Sequence, residues 1–137
     1  MFRKPLLPGL IWTILIALLT LIPGNYIPKV TTFFNWLGPD KLVHLFIFGV
    51  YAYLLVEGFH RQTLVVITHE KALLSSLLLG MVFATFTEVM QRFVIPGRNG
   101  NYFDFLADLL GLALGSMIWS IIRRNDKKNL SDSKKYN

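Results

Sequence analysis

The chain contains no cysteine. Disulfides, thiolate metal sites and cysteine nucleophiles are therefore excluded, and the redox compartment stays open because there is nothing to oxidise. Charge is also scarce. Only 16% of the 137 residues are charged, against about 25% in ordinary soluble domains. No stretch alternates polar and apolar residues in the manner of a barrel strand. A nucleophile motif, a Gly-rich phosphate loop, a phosphatase-like histidine pair and any RNA- or DNA-binding motif are all missing. The basic balance, a net charge of +6 with a pI near 9.8, thus does not point to nucleic acid.

What is present is apolar length. Hydrophobic residues make up 53% of the chain and the mean hydropathy is +0.49. They gather in four stretches, 6–22, 42–59, 72–95 and 105–122. A 17-residue helix rises about 26 Å, enough for a thin bilayer core. The expectation is an all-α, polytopic membrane protein: a four-transmembrane-helix bundle over residues 1–124. The segment 125–137 is polar, basic and without periodicity, and reads as a disordered tail. Arg3 and Lys4 before the first stretch invite a signal-peptide reading. No small-x-small cleavage site surrounds Pro23 and further spans follow, so that stretch is read as retained.

Orientation follows from the basic residues of the short loops. Arg3, Lys4, Arg61, Lys71 and the six after Ile122 fall on one side; Lys29, Lys41, Arg92 and Arg98 fall on the other. Ten against four places both termini in the cytoplasm, with loops 24–40 and 96–103 outside. Tyr26, Trp36 and Tyr102 suit the outer interface, and Trp119 the inner one.

Polar side chains intrude at the outer end of three of these stretches. Ionisable groups at membrane depth are costly and mark functional sites by default. Asp40 reads as the N-cap of the second helix, with Lys41 beside it and His44 one turn deeper. Glu88, Gln91 and Arg92 share a face near the end of the third helix, and Glu88 is within reach of Arg92. The turn Pro96-Gly97-Arg98-Asn99-Gly100-Asn101 leaves Arg98 free to fold over the helix ends. Asp104 and Asp108 open the fourth helix, one turn apart, in phase with Gly111 and Gly115. That Gly-x-x-x-Gly pair permits a close helix approach, and would press the aspartates toward His44 and Glu88. Four acids then face Lys41, Arg92, Arg98 and His44. Near-neutrality suits a buried paired network, and equally a pocket for a polar head group.

The spaced pattern Asp40-Lys41-x-x-His44, Glu88-x-x-Gln91, Pro96-Gly97-Arg98, Asp104, Asp108 and Gly111 resembles the VanZ-like family across roughly residues 20–122. The resemblance implies a small bacterial integral membrane protein. The family's founding member is associated with low-level resistance to teicoplanin, a lipidated glycopeptide. Asparagine is more usual in the family where this sequence has Asp108, so the cluster here carries an additional acid.

Three functions remain open at this point. The first is a binding module in which Asp40, Lys41, His44, Glu88, Gln91, Arg98, Asp104 and Asp108 receive the head group of an amphiphile. That ligand would be a membrane lipid, a lipid-linked envelope precursor or a lipidated glycopeptide. The second is a membrane-embedded enzyme acting on a lipid-linked substrate, with His44 or Glu88 as general base and Arg98 stabilising negative charge. The third is a scaffold with a buried polar network. No cofactor is expected and no metal is assigned, although His44, Glu88, Asp104 and Asp108 would suit a hard divalent ion. His60 and His69 lie on the wrong side to join them.

Overall fold

A computed structural model describes residues 4–23, 39–62, 67–97 and 101–135. Four helices follow in order: α1 (Leu7–Leu21), α2 (Pro39–Arg61), α3 (His69–Phe93) and α4 (Tyr102–Lys135). The last three are long and apolar enough to cross a membrane, and α1 is a shorter apolar helix. The local reasons are legible. Pro8 occupies the first turn of α1, where a missing N–H is harmless. Thr68 caps α3 by accepting a hydrogen bond from the Lys71 amide, and Gly97, at φ 75°, turns the chain after that helix. Asn101 opens α4: its side-chain oxygen accepts from the Phe103 amide at 3.1 Å.

Leu10, Leu18, Phe46, Val82, Phe86 and Leu110 are all more than half exposed. A water-soluble bundle would bury such residues, whereas lipid is their natural surrounding. Within the bundle the association of helices depends on close packing and internal hydrogen bonds. α2 and α4 share the most extensive contact. There the Gly111 Cα faces the Leu45 carbonyl, and the Gly49 carbonyl oxygen occupies the place a Cβ on Gly115 would take. The Gly-x-x-x-Gly expectation is met, and its partner is α2. α1 packs on α2, held by the Trp12 indole N–H, which donates to the Ile47 carbonyl at 2.8 Å. Phe48, Tyr51 and Phe83 join α2 to α3 through ring contacts of 5.4–6.2 Å.

Two expectations change here. Trp119 is not an interfacial belt residue: it is fully buried, and its indole N–H donates to Glu57 Oε2 at 2.7 Å. Arg123 meets both Glu57 oxygens at 2.6 Å, and Arg61 Nε also donates to that carboxylate. A buried indole N–H needs such an acceptor, which draws Trp119 inward. The His60 and His69 rings pack on Trp119 at 5.3 and 4.8 Å. The second change is at the C-terminus, where composition predicts disorder from residue 125 and the backbone continues as helix to Lys135. The segment lacks Gly and Pro, so nothing stops propagation of α4, and Arg123 pairs with Asp126 at 4.0 Å.

Candidate functional site

α2 and α4 begin, and α3 ends, at one end of the bundle, and there the intruding polar residues converge. The deepest pair joins α2 to α4. His44 Nδ1 lies 2.9 Å from Asp108 Oδ1, and Asp108 is fully buried. The glycine contact one turn further in brings the two backbones close enough for so short a bridge. One turn nearer the end, Lys41 Nζ stands 3.7 Å from Asp104 Oδ1. Asp40 is in the first turn of α2 and exposed. It therefore acts as a first-turn acid at the positive end of the helix rather than as the cap itself, because Pro39 already has helical geometry.

α3 contributes Glu88 and Gln91. Gln91 is buried, and its amide nitrogen has no hydrogen-bond partner. Glu88 is half-buried with its Oε1 shielded and unpartnered, and the backbone of Asn101, at the start of α4, faces its carboxylate. The local Glu88–Arg92 pair does not form. Arg92 instead lies over the rings of Tyr102 and Phe93, 5.4 and 5.9 Å from their centroids. A guanidinium at a helix end gains more from an aromatic face and access to water than from a carboxylate facing inward. Arg98 lies outside the described residues, as do Tyr26 and Trp36. Thr85 and Thr87 bond the carbonyls of Met81 and Ala84.

Between α3 and α4 a cleft of about 490 Å³ opens on the flank of the bundle. Its walls are Thr85, Glu88, Val89, Arg92, Phe93, Tyr102 and Phe105. Thr85, Glu88 and Arg92 are polar points on a wall that is otherwise mainly apolar, and Glu88 is the carboxylate of the cluster that faces the cleft. Tyr102, Phe105 and Asn101 were not singled out from sequence as parts of this site. Their position in the opening turn of α4, beside Asp104, is the signal that could have found them. Glu57, Trp119 and Arg123 were missed as a network altogether.

The VanZ/LLP1 family model matches residues 9–123. The chain belongs to the VanZ/LLP1 family. No curated protein and no solved structure matches it. The matched region spans α1 to α3 and α4 as far as Arg123, so both polar clusters lie within the family domain.

Proposed function

We propose that this VanZ/LLP1 protein binds the head group of an amphiphile in its polar pocket. The acyl or prenyl chain would lie along the cleft between α3 and α4. The observation that carries this reading is the shape of that cleft: Glu88 stands on its wall while Val89, Phe93 and Phe105 line its lipid-facing length. An aqueous small molecule would not need an entrance through the bilayer flank. The unpartnered oxygen of Glu88 favours a head group that offers a hydroxyl or an amine, as sugars and amino acids do. Lys41, with Arg98 as a further contact, would hold phosphate or carboxylate. Lipid-linked precursors of the cell envelope have this composition, and so do lipidated glycopeptides such as teicoplanin. The basic-residue bias supports a pocket on the outer face of the bacterial cytoplasmic membrane, with both termini inside.

The His44–Asp108 contact supports a second reading. An imidazole oriented by a carboxylate is the arrangement of a general base, and a bound lipid-linked substrate would then be turned over rather than only held.

Native mass spectrometry of protein extracted in mild detergent tests the first reading. A lipid-linked species should remain on the wild type and fall at least tenfold on Glu88→Gln, with helical circular dichroism and melting temperature retained. Equal retention by a folded Glu88→Gln protein would remove the pocket from the account.

A further inference from the structure

His44, Glu88 and Asp108 come from three different helices, α2, α3 and α4, yet each offers a ligand atom within 4.8 Å of the other two. Two of their oxygens are buried without a hydrogen-bond partner, Glu88 Oε1 and Asp108 Oδ2. Asp108 has no exposed surface, so water cannot reach that oxygen from outside. The surrounding charge makes the deficit larger. Asp40 and Asp104 stand at the same end of the bundle, and Lys41 is engaged with Asp104 at 3.7 Å. Arg92, which its spacing from Glu88 assigns to the cluster, turns away onto Tyr102 and Phe93. Among the described residues the cluster is therefore rich in acid and short of cation, in a part of the chain where uncompensated charge is most costly.

From this geometry we infer that His44, Glu88 and Asp108 form a divalent-cation site that ties α2, α3 and α4 together. One imidazole with two carboxylates suits an ion between the hard, oxygen-preferring and the nitrogen-preferring divalent metals; Mn²⁺ fits both donor types. Asp104, one turn away on α4, completes the acidic surround. A lone acidic patch would sit on the surface and hold cations loosely. This trio is instead built into the helix interface, and its histidine gives a bound ion a nitrogen ligand. The site does not depend on the head-group reading, because it needs no lipid.

The test uses the detergent-purified protein, stripped with a chelator and titrated with Mn²⁺ alone under electron paramagnetic resonance. The expected result is one bound Mn²⁺ per chain, with pulsed spectra showing coupling to an imidazole nitrogen. His44→Gln should remove the nitrogen coupling and weaken binding more than tenfold. Glu88→Gln, at a half-buried position that better tolerates change, should weaken binding at least tenfold with the fold retained. Glu70→Gln, exposed at the far end of α3, should leave binding unchanged. Three results would each overturn the site: no stoichiometric binding to the wild type, bound Mn²⁺ without nitrogen coupling, or full affinity in a folded Glu88→Gln protein. The first of these would mean that protons, rather than a metal, neutralise the cluster.

Discussion

Gly115→Ala should destabilise the bundle by about 1–3 kcal/mol or more, and Gly115→Leu should leave no folded protein to purify. The cause is local. The new Cβ would fall on the Gly49 carbonyl oxygen, a backbone atom that can yield only if α2 and α4 separate. The same methyl at Gly49 would meet nothing nearer than the Gly111 oxygen at 3.4 Å, an ordinary contact, so Gly49→Ala should be mild. Gly80→Ala falls between them, because its methyl would meet the end of the Leu112 side chain at 2.5 Å, which can rotate. Ala113→Leu adds more atoms on an exposed face of α4 and serves as the control. Thermal unfolding in detergent reads the whole series. A Gly115→Ala protein as stable as the Gly49→Ala protein would mean that the helices are not so close, and that the bridge from His44 to Asp108 is longer than 2.9 Å.

His44→Leu is the second large effect. It would leave a fully buried aspartate without its partner, and breaking one half of a buried pair costs on the order of 3–5 kcal/mol. Asp108→Leu should be damaging for the same reason. The double change His44→Leu/Asp108→Leu should cost less than the two single changes added together, since an apolar pair can replace a buried ionic one, with about 1–3 kcal/mol remaining because leucine is larger than the buried aspartate. Such recovery of stability, accompanied by loss of ligand, would separate function from fold. A double variant as unstable as the two single changes added together would instead make the pair a structural tie, and the scaffold reading would gain.

The residues that were legible in advance are those whose signals are local. Four apolar runs and the turn at Pro96-Gly97 fix the helices, because length and hydropathy decide what crosses a bilayer. Gly111 and Gly115 share a phase with Asp104 and Asp108, so one face of α4 carried both the close approach and the acids. Arg92 was the misleading case. Its spacing from Glu88 permits a pair, but spacing carries no information on Tyr102, whose ring arrives from the next helix and takes the guanidinium. Trp119 fails for a similar reason. An aromatic near a basic end reads as a belt residue, while the acceptor that draws it inward, Glu57, lies 62 residues earlier. Contacts of that sequence separation leave no periodic trace. The far cluster of Glu57, Trp119 and Arg123 was therefore invisible from composition, although it closes the other end of the same bundle.

The central claim is that the cleft between α3 and α4 is the lipid-side entrance to the polar pocket. Photo-crosslinking in cells tests it most directly, with a photoreactive amino acid at Val89 on the cleft wall or at Val82, two turns back along α3 and 67% exposed. Position 89 should capture a lipid-linked envelope species, identified by the mass of the adduct, that position 82 does not. That adduct should disappear when Glu88→Gln is added. Identical bulk phospholipid adducts at both positions, unchanged by Glu88→Gln, would contradict the account and leave the polar residues as internal ties of a membrane scaffold.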